Sequence, residues 1–349
     1  MTTRTTVSAP PRTTPHGTRS RRRTLGLVAI LGALLVAVLL SLALGTNPLS
    51  PGAVWTGLRA HDDSEASVLV WTLRIPRTVV GLAAGAAFGV AGALVQALTR
   101  NPLADPGILG VNAGAGFAVT LGVGLFGVTS AQGYVWFAFV GAALATLLVY
   151  AIGASSGGSI SPITLVLAGV ALAAVLDGVG TFLQLIDPET FTRLRRWGVG
   201  SINDTALTDT WQVLPFLAGG LVLALVLARA LNDVALGDDL ARSLGTNVAR
   251  TRVLGIVAVT LLAGGGTALT GGIGFVGLMV PHLVRWFTGP DQRWVIAYSA
   301  LAAAVLVLLA DVLGRVVARP GEIEVGIVTA LVGAPVLIML VRRSRASGL

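Results

Sequence analysis

Cysteine and lysine are both missing from this chain of 349 residues, and histidine occurs only three times. Without cysteine the protein has neither a disulfide framework nor a cysteine-based metal site. Without lysine it has no Walker A phosphate-binding loop and no Schiff-base chemistry. The histidines, His16, His61 and His282, are too few for a histidine-rich metal site. The missing lysine therefore disfavours ATP hydrolysis by this chain, and the absence of cysteine with the scarcity of histidine disfavours metal catalysis.

Charge is also scarce, since charged residues make up 11% of the chain and hydrophobic residues 54%. A soluble domain carries about 25% charge. The mean hydropathy of +0.84 indicates that much of the surface faces lipid. The net charge of +8 is therefore interpreted as charge beside a membrane rather than as a nucleic-acid surface.

Long apolar segments predict an all-α polytopic membrane protein. Residues 1–24 are rich in Thr, Pro, Ser and Arg and predict a disordered basic tail in the cytoplasm. The apolar run 25–45 is about 20 residues long, enough to cross a bilayer. We interpret it as a first span rather than a cleaved signal peptide, because many spans follow. Residues 25–343 thus form one transmembrane domain with about ten spans. The later candidates are 78–99, 107–127, 134–153, 164–186, 211–230, 252–270, 274–288, 294–314 and 324–341.

The arginines predict the orientation of these spans. With the N-terminal tail in the cytoplasm and the sides alternating, sixteen arginines fall inside and eight outside. This bias agrees with the positive-inside rule, so both termini, including a short tail at 344–349, are expected in the cytoplasm. The eight outer arginines need a separate explanation. They are Arg59, Arg74, Arg77, Arg193, Arg195, Arg196, Arg315 and Arg319.

One cytoplasmic loop, about 231–251, is polar enough to leave the membrane. Its centre predicts a short helix with Asp238 and Asp239 in the first turn, where the helix dipole favours acids. Gly237 and Gly245 bracket that helix. Such an element is suited to docking into another protein, and an ordinary solvated loop is the alternative.

Charged side chains beside or within the spans are further candidates. Arg74 and Arg77 either lie along apolar surface with their heads in water or bind carboxylates of a partner. Asp177 falls near the middle of the fifth span, where an ionisable group is costly. It is expected to line a pathway, relay protons or pair within the bundle. Asp311 precedes Arg315 by one helical turn, so these two residues are expected to pair.

The sequence TRNPLADP at 99–106 is expected to end a helix, because it contains two prolines. Asn101 and Asp105 can hydrogen-bond the backbone groups freed there. His282, which follows Pro281, is expected to be a packed residue rather than a metal ligand.

Five stretches, taken in order, resemble the FecCD family of permease subunits of type II ABC importers for iron-siderophores, haem and cobalamin. The first is RIPRTVVGLAAGAAFGVAGALVQALTRNPLADPGILGVNAGAG, which begins at Arg74. The others are RRWGVGSI (195–202), ALGDDLARSLG (235–245), GGIGFVGLMVPHLVR (271–285) and GEIEVGIVTALVGAPVLIML (321–340). The similarity runs from about residue 25 to 343. It departs from the family at Glu324, where relatives commonly have proline, and at 155–165.

The resemblance implies a ten-span bundle like that of the vitamin B12 permease, in the bacterial cytoplasmic membrane. It implies a dimer with a second copy or a paralogous permease. It also implies two cytoplasmic ATPase subunits, which bind ATP and Mg, and an extracytoplasmic binding protein that delivers a metal chelate. The chain itself is then a transport subunit rather than an enzyme, with no cofactor of its own and no nucleic-acid partner.

The resemblance also implies roles for residues at matching positions. The residues implied to receive carboxylates of the binding protein are Arg74, Arg77 and Arg315. Asn101 and Leu103 are implied to lie at an inner constriction of the pathway, and Asp177 is a further pathway candidate from its place in the span. The residues implied to couple to the ATPase are Leu236, Gly237, Asp238, Ala241, Arg242, Leu244 and Gly245.

Two classes of function follow from these features. The first is an ATP-driven importer subunit, with a ferric siderophore as the expected substrate and haem or cobalamin as the alternatives. The second is a proton-coupled secondary transporter that works alone, with Asp177 as its relay. A membrane-embedded enzyme is disfavoured, because the sequence offers no nucleophile–base or metal-binding constellation.

Overall fold

The computed structural model describes residues 16–154, 162–186, 194, 197–203 and 205–346. Every regular element in these residues is helical, which confirms the all-α prediction. Outside the described residues lie the predicted tail at 1–15, most of the divergent segment at 155–165, the outer arginines Arg193, Arg195 and Arg196, and the last three residues.

The helices are labelled here in chain order within the described residues. The first six are α1 (His16–Ala43), α2 (Pro51–Ala60), α3 (Glu65–Thr99), α4 (Val111–Phe126), α5 (Ala131–Ala154) and α6 (Pro162–Ile186). The next six are α7 (Leu207–Ala235), α8 (Asp238–Ser243), α9 (Val248–Thr270), α10 (Val276–Thr288), α11 (Gln292–Val317) and α12 (Val325–Ala346).

Seven of these helices, α1, α3, α5, α6, α7, α9 and α11, are long and apolar enough to cross a membrane. Helices α4 and α12 are also apolar, but their apolar stretches are shorter than those of the seven. Helix α10 has only 13 residues. All ten predicted segments coincide with a helix, and seven of them have the length and hydropathy of a span. The chain is therefore a multi-pass membrane protein.

The first helix begins earlier than the sequence predicted. Helix α1 starts at His16, so residues 16–24 belong to it and not to the disordered tail expected over 1–24. The reason is local, because the arginine-rich run before the apolar segment contains good helix formers and no proline after Pro15. The basic residues thus extend the first helix beyond the candidate span, which begins at Arg23.

Helix α3 forms the centre of the bundle, where it packs against α11, α10, α7 and α9. The spacing of Gly81, Gly85 and Gly89 predicts close helix packing, and the structure agrees. A Cβ atom added at Gly85 would lie 2.7 Å from Ala304 Cα and 2.9 Å from Ala303 O, both on α11. Since backbone atoms cannot move aside, only glycine allows the two helices to lie this close.

Replacing Gly85 by valine is expected to destabilise the fold by at least about 1–3 kcal/mol, the usual cost of overpacking. The matched control is Gly32→Val in α1, because a Cβ at Gly32 meets nothing within 4 Å. Thermal melting in detergent, followed by size-exclusion chromatography, measures both variants. Equal melting temperatures for the two variants would contradict the close α3–α11 contact.

Candidate functional site

Five charged side chains meet at the end of the bundle that the predicted topology assigns to the outer side. We call Arg74, Arg77, Asp311, Arg315 and Glu322 the outer ion-pair cluster. The first two lie on α3 beside a π-helical turn, the next two lie one turn apart on α11, and Glu322 lies in the loop before α12. Residues far apart in sequence therefore share one buried site.

Asp311 is the centre of this cluster, with 1% of its surface exposed. Its Oδ1 accepts a hydrogen bond from Arg77 Nε at 2.8 Å and lies 2.7 Å from Arg77 Nη2. Its Oδ2 lies 2.7 Å from Arg315 Nη2. The expected pairing of Asp311 with Arg315 is present, and the same carboxylate also joins α11 to α3.

Arg77 has two further acceptors. Its Nη1 donates to Glu322 Oε2 at 2.8 Å and to Asn203 Oδ1 at 2.9 Å. The Glu322 side chain is 27% exposed, which makes it the most accessible member of the cluster. The charged loop before α12 is thus attached to the bundle through Arg77.

Arg74, and Arg315 in addition to its ion pair with Asp311, bind carbonyls at and just after the end of α1. Both donate to the carbonyl oxygen of Leu44, at 2.8 Å for Arg315. Arg74 also donates to Asn47 O at 2.6 Å, and Arg315 to Ser41 O at 3.2 Å. The last carbonyls of a helix lack intrahelical partners and carry partial negative charge, so the two guanidinium groups cap α1.

The structure therefore brings together the three arginines that the sequence singled out for docking. Each is buried and engaged within the chain, with 2% exposure for Arg315. Three positive and two negative groups leave the cluster with one excess positive charge. A partner approaching from outside would meet Glu322 first, and docking by these arginines stays a prediction.

The predicted helix break at the opposite end is present. Helix α3 ends with Arg100 in the left-handed conformation, at φ 51°. Asn101 Oδ1 then accepts from Leu103 N at 2.9 Å, and Asp105 Oδ1 accepts from Gly107 N at 2.8 Å. Desolvation raises the pKa of the Asp105 carboxyl above its ordinary value. Asn101 is exposed and Leu103 half-buried, so both are accessible at this end, and their part in a constriction stays untested.

The predicted short helix in the cytoplasmic loop is α8, at residues 238–243. Gly237 precedes it with φ 115°, a conformation that side-chain-bearing residues rarely adopt. Asp238 forms ion pairs with Arg100 of the α3 end and with Arg252 of α9, the latter at 3.0 Å. Ala241 is fully buried between the neighbouring helices. These contacts hold α8 firmly against the ends of three helices.

The same loop also carries exposed leucines. Leu236, Leu240 and Leu244 are spaced four residues apart and are 61%, 48% and 57% exposed. Contiguous exposed apolar patches mark protein or membrane contacts. Arg242, beside them, pairs with Asp239 at 2.9 Å and is itself exposed. We call these three leucines the leucine row.

Asp177 lies on α6, whose outer face is mostly unburied in the single chain. Its side chain is exposed, and it makes no hydrogen bond or ion pair with the described residues. The neighbouring exposed residues Val175, Val179 and Phe182 are apolar. Helix α6 packs closely on the turn after Asp105, since a Cβ at Gly169 would overlap Ile108 O. Asp177 therefore shares an unpartnered apolar face.

Sequence reasoning missed Leu240 and Glu322. Leu240 follows Leu236 and precedes Leu244 at helical spacing, so the period was a usable signal. Glu322 gave no signal, because its partner Arg77 is 245 positions away.

His282 is packed against Trp286 with ring centroids 5.7 Å apart, and its Nδ1 is buried without a hydrogen-bond partner in the described residues.

A family model and two sequence relatives each match nearly all of this chain. The model of the FecCD transport family matches residues 33–343. The chain is 47% identical over 327 residues to the ferric enterobactin transport system permease protein FepD of Escherichia coli (strain K12), covering 93% of this chain and 97% of that protein. It is 39% identical over 328 residues to the Fe(3+)-citrate import system permease protein YfmD of Bacillus subtilis (strain 168), covering 93% and 97%.

The fold resembles a solved structure, a metal-chelate type ABC transporter in an inward-facing conformation. The TM-score is 0.80 at 27% identity, over 91% of this chain and 98% of that chain. Family model, sequence relatives and fold therefore agree over nearly the full length. This chain belongs to the FecCD transport family.

Proposed function

We propose that the chain is the permease subunit of an ATP-driven importer for ferric siderophores, located in the bacterial cytoplasmic membrane. Two relatives that match nearly the full length are permeases for ferric enterobactin and for Fe(3+)-citrate. The feature of the chain that carries the proposal is α8 with its leucine row. A secondary transporter working alone has no need of a rigid cytoplasmic helix that exposes leucines.

Energy for import comes from a separate ATPase pair, which binds ATP and Mg. The ion pairs of Asp238 with Arg100 and Arg252 support this step, because they connect α8 to α3 and α9. A displacement of α8 by the ATPase is thereby passed to the centre of the bundle. The pathway then opens to one side of the membrane at a time.

A second permease copy, or a paralogue, covers the exposed face of α6. The support is Asp177, because an ionisable side chain facing hydrocarbon costs several kcal/mol or more. Against a partner subunit the same residue faces an aqueous pathway between the two copies. Asn101 and Leu103, at the inner end of α3, then narrow that pathway on the cytoplasmic side.

An acidic binding protein docks on the outer ion-pair cluster. The excess positive charge of the cluster supports this role, since opposite charge steers a partner to its site. The partner's carboxylate takes the place of Glu322 on Arg77, while Asp311 keeps Arg77 and Arg315 in position. Haem and cobalamin remain alternative cargoes, because the apolar helices described above contain no group that selects one chelate.

A proton-coupled transporter is the second candidate, favoured by the unpartnered carboxyl of Asp177. Replacing Asp177 by asparagine distinguishes the two. In an ATP-driven importer, uptake in the Asp177→Asn variant is expected within about two- to three-fold of wild type, since asparagine still lines a polar pathway. Uptake that falls at least about tenfold, with a remainder that no longer responds to a pH gradient, would instead support proton coupling.

The cargo is tested by uptake in a strain lacking this protein. Labelled ferric siderophore, haem and cobalamin are supplied in parallel, with the wild-type chain restored in a matched strain. The proposal expects that only ferric-siderophore uptake falls and is restored. Loss of haem or cobalamin uptake alone would overturn the assignment of cargo while leaving the family assignment intact.

A further inference from the structure

A lateral groove of about 450 Å³ lies between α1, α10 and α11, towards the end of the bundle assigned to the cytoplasm. Its walls are almost entirely apolar, with Ile30, Leu283 and Leu306 among the lining residues. Phe287 at its rim is 63% exposed, so the groove is open to the surroundings of the bundle. In a membrane those surroundings are lipid.

The groove runs parallel to the helices. Tyr298, Ala302 and Leu306 are spaced four residues apart on α11 and line it on one side. Eight residues of helix span about 12 Å, so the groove extends along the direction in which lipid chains lie. Its length suits part of an acyl chain.

Arg23 stands at the cytoplasmic end of the groove. Its Nη2 donates to Thr288 O at 3.0 Å, and its guanidinium carbon lies 5.1 Å from the centre of the Trp294 ring. The Tyr298 hydroxyl donates to the carbonyl oxygen of Arg23. In the described part of the chain no carboxylate forms an ion pair with Arg23. A positioned positive charge thus lacks a negative partner at the mouth of an apolar groove.

We propose that this groove binds an anionic phospholipid of the surrounding bilayer. The phosphate of the headgroup accepts hydrogen bonds from the Arg23 guanidinium, and one acyl chain lies along α11. Basic pockets between transmembrane helices on the cytoplasmic side bind anionic lipid headgroups in this way. Trp294 beneath the guanidinium limits its motion, so less entropy is lost when the phosphate binds.

A second groove provides an internal comparison. It has a volume of about 300 Å³, lies between α5 and α9, and is lined by apolar residues together with Tyr150 and Thr260. None of its lining residues is charged. It is expected to accept acyl chains without preference for a headgroup, so the charge at Arg23 is the distinguishing feature.

The proposal is tested on the full-length chain in nanodiscs containing equal amounts of phosphatidylglycerol and phosphatidylcholine. After mild detergent extraction, native mass spectrometry counts the retained lipids. The wild type is expected to retain phosphatidylglycerol about five-fold over phosphatidylcholine, the usual effect of one arginine at a membrane surface. Arg23→Gln is expected to reduce this ratio to about one, whereas Arg23→Lys retains most of it.

Two matched pairs of variants control for charge and volume. Arg229→Gln removes an exposed arginine of α7 that lines neither groove and leaves the ratio unchanged. Ala29→Phe fills the groove beside Arg23 and lowers retention of phosphatidylglycerol, whereas Ala143→Phe fills the second groove and does not. Equal retention of both lipids by the wild type, or a five-fold preference that persists in both Arg23→Gln and Ala29→Phe, would overturn the proposal.

Discussion

Replacing Asp311 by asparagine is expected to destabilise the folded chain by about 3–5 kcal/mol, the cost of breaking a buried ion pair from one side. The carboxylate is 1% exposed and joins Arg77 to Arg315. In the variant both guanidinium groups remain buried without a carboxylate between them. The asparagine NH2 group is a donor, and it faces at least one guanidinium group, which is also a donor. The apparent Tm in detergent should fall by about 5 °C or more.

The matched control is Asp239→Asn. Asp239 also pairs with an arginine, Arg242 at 2.9 Å, but its side chain is fully exposed. Exposed pairs of this kind contribute about 0.3–0.5 kcal/mol, so the apparent Tm of this variant should equal that of the wild type. If the apparent Tm of Asp311→Asn also equalled that of the wild type, the outer ion-pair cluster would not stabilise the contact between α3 and α11.

Glu322→Gln separates stability from docking within the same cluster. Glu322 is the more accessible of the two carboxylate partners of Arg77. In the variant, Arg77 still forms its ion pair with Asp311. The variant is therefore expected to retain its fold and its insertion into the membrane. Glu324→Gln is the neighbouring control, because Glu324 forms no ion pair with the described residues.

Leu240→Asp is expected to reduce ATP-driven uptake on the order of tenfold or more, because it places a charge in the leucine row, the proposed contact with the ATPase. The fold should be unaffected, since the side chain is 48% exposed and contributes little to the core. Uptake and ATP hydrolysis by the assembled transporter, measured together with the amount of chain in the membrane, distinguish loss of coupling from loss of protein.

Asn247→Asp is the control for added charge on that surface. The Asn247 side chain is the N-cap of α9 and accepts from Arg250 N at 2.9 Å, a bond that aspartate also accepts. This variant should transport like the wild type, and Leu240→Met should retain most activity. Equal losses in Leu240→Asp and Asn247→Asp would indicate a general charge effect and would remove the leucine row from the proposed ATPase contact.

Local signals in the sequence were enough for the spans and for two elements of the site. Each of the ten segments predicted from hydropathy coincides with a helix, and seven of those helices are long and apolar enough to span a membrane. The four-residue spacing of Asp311 and Arg315 predicted their pairing. The two acids followed by helix-forming residues, with a glycine on either side, predicted α8. Each of these features depends on residues within a turn or two of one another.

Contacts between distant segments had no such signal. Arg74 donates to the carbonyls of Leu44 and Asn47, which follow α1 and lie 30 and 27 positions earlier in the chain. Arg77 depends on Asn203 and Glu322, both in loops. Arg74 and Arg77, two outer arginines that the sequence offered as docking candidates, are therefore buried by partners that lie far away in the chain.

Import by this chain is proposed to require a separate ATPase. The most direct measurement is uptake of labelled ferric siderophore into proteoliposomes, with the chain alone or together with its ATPase and binding protein, under either ATP or a pH gradient. Uptake is expected only when both partner proteins and ATP are present. Uptake by the chain alone, driven by the pH gradient, would contradict it.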